Sequence, residues 1–252
     1  MRYKIDLVFN LWYNIGMILG KDEIKNLKDK KFRKQNGLFM VEGDKFCRDL
    51  LATDIKIAYT FTSKKDLDGF PNIVYVSDKV LSSIATTKNN QDIICICKIK
   101  DYGIESIGNS LILDNIQDPG NVGTLIRSAL AFGFEDIYVI DGADVFGEKV
   151  VRSSAGQIMQ VRLHICDYET IKQNKDKISN EFLVADMSGE DVNKIRSLNS
   201  KIAVIVGNEG NGVSDEMLSI ADKVVAIPMS EKVESLNVGV AGSIIMQKFS
   251  KI

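Results

Sequence analysis

The chain has 252 residues, 45% of them hydrophobic, with 32 basic and 34 acidic residues and a formal net charge of −2. That is enough apolar material to fill the core of one large domain or two modest ones. The near-neutral balance excludes polyanion binding spread over the whole surface, so any nucleic-acid partner must be met by a local basic patch.

The first sixteen residues, MRYKIDLVFNLWYNIG, are apolar and aromatic but are interrupted by Asp6, Asn10 and Asn14. They fall short of the ~20 apolar residues of a membrane span, and no small-residue cleavage site follows them. We read 1–16 as an atypical extension and Met17 as the start of a first domain, 17–100. Between Lys21 and Lys34, seven basic residues (Lys21, Lys25, Lys28, Lys30, Lys31, Arg33, Lys34) stand against Asp22, Glu23 and Asp29. On its own such a run is a solvated helix face. Strands are expected at 37–43, 55–61, 72–77 and 92–99, with a helix at 44–52, which makes a small α/β unit. Alternation along the last strand puts Cys95 and Cys97 on one face. With Cys47 and Cys166 they read as four buried free thiols of a cytoplasmic chain. The absence of a C-x-x-C pair and the single histidine, His164, argue against a zinc site, and no metal is expected.

A polar, glycine-containing stretch, 101–110, reads as a linker. Beyond it strand-like runs at 111–114, 136–140, 161–165, 181–187, 201–207 and 223–229 alternate with helical stretches. That rhythm predicts a parallel sheet covered on both faces, with ligands at the carboxyl ends of its strands. Three loops after strands carry unusual chemistry. Asp118-Pro119-Gly120-Asn121 is a turn, with Asn121 as the expected N-cap of a helix bearing Arg127. Arg127 alone reads as a surface side chain. In VIVGNEGNGVSDEM, Gly207, Gly210 and Gly212 bracket Asn208, Glu209 and Asn211. The order G-x-x-G-x-G is not the dinucleotide fingerprint, which weighs against a Rossmann dehydrogenase. In the third stretch Pro228 ends strand pairing, Ser235 and Asn237 open a helix, and Gly239 and Gly242 give that helix a smooth face for close packing.

Taken together and in order, DPGNVGTLIRSA, VGNEGNGVS and IPMSEKVESLNVGVA resemble the three motifs of the SpoU/TrmH family of RNA ribose 2′-O-methyltransferases, within the SPOUT superfamily. VVRSSAGQIMQV resembles the segment between the first two motifs. GLFMVEGDKFCRDLLA and LSSIATTKNNQDIICI resemble a substrate-binding domain of ribosomal-protein-L30e type. The resemblance implies an α/β fold: a C-terminal parallel-sheet SPOUT domain, 111–252, with a deep trefoil knot, preceded by the small L30e-like domain. It implies S-adenosylmethionine as cofactor and a homodimer with no membrane partner. Carried over, Gly207, Asn208, Glu209, Gly210, Ile227, Pro228, Met229, Ser235, Leu236 and Asn237 would contact the cofactor. Asn121, Arg127, Glu209, Ser235 and Asn237 would line the catalytic pocket. The family view makes Arg127 a base, but a guanidinium that stays protonated suits phosphate holding and alkoxide stabilisation better. Lys28, Lys30, Lys31, Arg33 and Arg152 would contact RNA. Ribosomal RNA is the favoured substrate. Transfer RNA is the alternative, and a non-catalytic RNA-binding SPOUT dimer is a reading of another class.

Overall fold

The structure, a computed structural model, describes residues 21–87, 92–195, 200–250 and 252. The expected extension 1–16 and the domain start at Met17 lie outside them. The chain divides into two compact units, one up to Lys100 together with Phe146–Glu148, the other formed by Asp101–Val145 and Lys149–Ile252.

The first unit is built on a four-stranded sheet in the order β1-β4-β2-β3. Its strands are β1 (Leu38–Glu42), β2 (Ile57–Thr62), β3 (Ile73–Tyr75) and β4 (Ile93–Lys98), with β2 and β3 parallel and the other pairs antiparallel. Its helices are α1 (Lys21–Asn26), α2 (Lys30–Asn36), α3 (Asp44–Leu50) and α4 (Asp78–Ile84). The basic run is therefore two short helices and not one continuous face. Asp29 caps α2 by accepting from the Phe32 amide at 2.9 Å, and Gly37 closes it with φ 60°. The break leaves the Leu27 carbonyl, just past the end of α1, without a helical partner. The buried Arg33 guanidinium donates to it, and Lys28 Nζ donates to the Ala85 carbonyl at 2.9 Å. Arg33, expected among exposed phosphate contacts, is thus a structural side chain.

Cys47, Cys95 and Cys97 are buried as expected, but Cys166 is only half-buried because it ends an outer strand of the second sheet. Burial, then the neighbouring Asp167 carboxylate, pushes the Cys166 thiol up to about 12.

The second unit holds six parallel strands in the order β10-β8-β9-β5-β6-β7. They are β5 (Ser110–Asp114), β6 (Asp136–Ile140), β7 (Arg162–Cys166), β8 (Glu181–Asp191), β9 (Ile202–Val206) and β10 (Lys223–Ala226). Every residue of β5, β6 and β9 is buried, as strands covered on both faces require. The helices are α5 (Pro119–Ala131), α6 (Glu148–Ser153), α7 (Tyr168–Gln173), α8 (Lys175–Ile178), α9 (Asp215–Leu218) and α10 (Val238–Lys248). Strand order reverses between β5 and β9, so the crevice beyond their carboxyl ends is the switch point where ligands of such sheets sit.

Two expectations are corrected at helix and strand ends. The N-cap of α5 is Asp118, whose carboxylate accepts from the Asn121 amide at 2.9 Å, and not Asn121. Pro119 takes the first helical position, where its missing N–H costs nothing. β10 ends at Ala226, two residues before Pro228. The polar stretch 101–110 is pinned along β6 and β7. His164 Nδ1 lies 2.7 Å from the Gly103 carbonyl, Tyr138 donates to Ile104 at 2.7 Å, and the Ile107 amide donates to Asp136 at 2.9 Å. Its last residue, Ser110, already belongs to β5. Among the described residues no helix is long and apolar enough to cross a membrane.

Candidate active site

The loop after β9 begins at Gly207, where a Cβ would overlap the backbone of Gly212 and Val213, so only glycine permits the fold-back. The loop then organises itself around Asn208. Its carboxamide oxygen accepts from the amides of Gly210 at 2.9 Å and Asn211 at 3.0 Å, and its nitrogen donates to the Asn115 carbonyl at 2.9 Å. Asp114, 1% exposed at the end of β5, accepts from the Ser214 amide at 2.7 Å and from the Tyr168 hydroxyl at 2.8 Å. The far end of the loop is tied down in this way, and Glu209 stands at its tip.

The Glu209 carboxylate reaches the start of α5. It accepts from the amides of Gln117 and Asp118, each at 3.1 Å, and from the Asn121 carboxamide nitrogen at 2.9 Å. Partial burial would raise its pKa. The Asn121 hydrogen bond and the backbone amides outweigh that and hold the carboxyl below the ordinary glutamate value. The Asn121 oxygen in turn accepts from the Asn237 nitrogen at 2.9 Å. Asn237 also caps α10, accepting from Gly239 at 2.9 Å and Val240 at 3.3 Å. A single line of hydrogen bonds, Glu209–Asn121–Asn237, thus joins the three loops that the sequence singled out.

The seam between α10 and α5 explains the two glycines. A Cβ at Gly242 would stand 2.5 Å from Leu125 Cδ2, and one at Gly239 would stand 3.2 Å from Thr124 Cγ2. Ser243 bridges to the Ser128 hydroxyl at 2.6 Å. Thr124, Arg127 and Ser128 follow i, i+3, i+4 spacing, so Arg127 lies beside this seam. Arg127 is exposed and makes no hydrogen bond or ion pair among the described residues. Ser235 is likewise exposed on the loop before α10, while Leu236 is half-buried.

Beside these loops lies a cavity of about 400 Å³ lined by Met187, Gly189, Asp191, Ala226, Ile227, Pro228, Met229, Ser230, Glu231, Val233 and Glu234. Of the expected cofactor contacts, Ile227, Pro228 and Met229 line it. Gly207, Asn208, Glu209, Gly210, Ser235, Leu236 and Asn237 are not among its lining residues, although Ser235, Leu236 and Asn237 follow the wall residue Glu234 directly in the chain. The volume lies in the range of small-molecule sites. The wall offers apolar side chains for a flat ring and freed backbone past the end of β10, a donor set that fits an adenosyl cofactor. Met187, Gly189 and Asp191, at the end of β8, escaped the sequence reading. The available signal was a glycine at a strand's carboxyl end. A Cβ at Gly189 would stand 2.6 Å from the backbone of Val224 and Val225, where the β8–β10 pairing jumps from Val184 to Glu190.

Residues 108–247 match the model of the SpoU rRNA Methylase family. The chain belongs to the SpoU rRNA methylase family. Residues 22–95 match the MRM3-like substrate binding domain that accompanies it here. Among curated SpoU relatives, the 23S rRNA (guanosine(2553)-2'-O)-methyltransferase RlmP of Bacillus subtilis is 30% identical over 232 residues, which cover 88% of this chain and 92% of the relative. Among solved structures, the AdoMet-bound rRNA methyltransferase of Sinorhizobium meliloti superposes with a TM-score of 0.80 at 25% identity, over 90% of this chain and 92% of that one. The AdoMet complex of AviRb from Streptomyces viridochromogenes, at 19% identity and a TM-score of 0.79, covers 90% of this chain and 95% of its own, and speaks to the fold alone.

Proposed function

We propose that this SpoU-family chain transfers a methyl group from S-adenosylmethionine to a ribose 2′-hydroxyl of ribosomal RNA. The observation that carries this reading is the hydrogen-bonded line Glu209–Asn121–Asn237, which joins the three motif loops beside an unengaged Arg127 on α5. The activity named for the Bacillus subtilis relative supports it.

The cofactor, when bound, supplies an electrophilic methyl group on a sulfonium centre. Ile227, Pro228 and Met229 would hold it from the cavity wall, and the backbone about Gly207 and Leu236 would add further contacts. Asn121 has both ends of its carboxamide fixed and holds the first turn of α5 in register with α10. Glu209, with its oxygens taken up by three donors, works as a scaffold and not as a base. Arg127 brings a permanent charge with all its donors available. That suits it to hold the phosphate beside the target ribose and to stabilise the oxygen as its proton leaves. The Ser235 hydroxyl stands next to Leu236 and Asn237, where it can orient the attacking oxygen.

Several further readings belong with this one. The exposed Val240 and Ile244 on α10 support a homodimer through that helix. The exposed Lys30, Lys31 and Arg152 support RNA contact, with Lys28 and Arg33 engaged elsewhere. Family membership supports a trefoil knot and a cytoplasmic location. The test is transfer of labelled methyl from the cofactor to total RNA by the purified protein, followed by mapping of ribose methylation. Label in ribosomal RNA is expected. Label confined to transfer RNA overturns the substrate assignment, and no label at all favours the non-catalytic dimer.

A further inference from the structure

The cavity beside the strand ends is lined by three carboxylates, Asp191, Glu231 and Glu234, and by no basic side chain. Glu231 and Glu234 are exposed and make no hydrogen bond or ion pair among the described residues. Asp191 spends one oxygen on the Asn193 amide at 2.9 Å, a bond that fixes its position at the end of β8. Lys232 lies between the two glutamates in sequence but does not reach the cavity wall. Like charges gathered at one concave surface repel each other and concentrate cations there. The same wall carries Ile227, Pro228 and Met229, so the charge stands where the cofactor reading puts a ligand.

We infer that Asp191, Glu231 and Glu234 make this cavity selective for charge: they favour the sulfonium cofactor over its demethylated product. The inference rests on the reading that the chain binds S-adenosylmethionine. The two molecules share the adenosine, the α-ammonium and the α-carboxylate. In the transfer the S–CH₃ bond breaks, a C–O bond to the ribose forms, the hydroxyl gives up its proton, and sulfur keeps the bonding pair as a neutral thioether. The bound molecule therefore loses one positive charge at the moment it becomes product. A carboxylate collar holds the charged form and loosens its grip on the neutral-sulfur form, which favours product departure. Coulomb's law in a water-like dielectric makes each carboxylate about 6 Å from the lost charge worth roughly threefold in Kd, so two together are worth about tenfold. Glu231 and Glu234 are solvated, so salt should erode the preference.

Isothermal titration of the full-length protein with S-adenosylmethionine and with S-adenosylhomocysteine, at low and high salt, tests this. The wild type should prefer the sulfonium form, by a ratio that shrinks as salt rises. Glu231→Gln with Glu234→Gln should cut that ratio about tenfold while product affinity stays nearly constant. Equal weakening of both ligands in the double variant would mean a packing role for the loop and would overturn the inference. So would an unchanged ratio, in which case the cofactor reading still stands. Failure of S-adenosylmethionine to bind the wild type would overturn the cofactor reading itself, and the inference with it.

Discussion

Removing the Glu209 carboxylate should disorganise the start of α5 more than it weakens the whole molecule. In Glu209→Ala, three donors lose a charged acceptor: the amides of Gln117 and Asp118 and the carboxamide of Asn121. Hydrogen bonds to a charged group are worth about 1.5–3 kcal/mol each when buried. This carboxylate is mostly exposed, so water replaces much of each bond, and after that discount about 1 kcal/mol of stability should be lost. For a chain of this size that lowers Tm by about 2–4 °C. The loss of turnover should be larger, about 100-fold, because Asn121 is no longer held at its productive position. Glu209→Gln should fall between the two, since one amide oxygen still accepts while its nitrogen faces donors. Three readouts suffice: single-turnover methyl transfer, thermal melting, and hydrogen exchange at Gln117 and Asp118. Exchange at those amides should speed up in Glu209→Ala. Unchanged exchange with abolished turnover would refute the scaffold role and return Glu209 to the chemistry itself.

Arg127→Ala should abolish turnover while leaving S-adenosylmethionine affinity nearly intact by titration calorimetry, because Arg127 makes no bond that supports the fold among the described residues. Full activity in that variant would sink its assigned role. In the first unit, Arg33→Ala should lower Tm through the lost bond to the Leu27 carbonyl, whereas Lys31→Ala should leave Tm nearly alone and flatten the salt dependence of RNA binding. Asp136 is buried, and burial would raise its pKa, but the His164 hydrogen bond, the Ile107 amide and Arg162 outweigh this and hold the carboxyl below its ordinary value of 3.8. Its stabilising contribution is then complete above 3.8 and is lost as pH falls through the lower folded value. Asp136→Asn should cost about 3 kcal/mol at neutral pH, and the gap in Tm from wild type should narrow in strong acid; a gap independent of pH would contradict the assignment.

The second unit was largely legible in the sequence because parallel strands buried on both faces must be apolar throughout. The runs at 136–140 and 111–114 match β6 and β5 to within a residue. The three motif loops were legible because each follows a strand and each spends glycine, proline or asparagine where ordinary turns do not need them. Their joining was not: nothing in local composition says that Asn121 takes a proton donor's place toward Glu209 and an acceptor's toward Asn237. Asparagine is a good cap, which makes Asn121 the expected one, but the aspartate three residues earlier, with proline after it, is the better one. A charge run is usually solvated, so the sequence places Arg33 at the surface. Only the break between α1 and α2, which leaves the Leu27 carbonyl without a helical partner, draws it inward. Gly239 and Gly242 show the same division. The sequence alone determined that a C-terminal helix would give up side chains at two positions, and tertiary structure decided why: α10 approaches α5 so closely that Leu125 and Thr124 occupy the space a Cβ would need. Periodicity records which faces are buried, since burial acts on each residue where it stands. Pairings between loops about a hundred residues apart are fixed only when the sheet brings its strand ends to one edge.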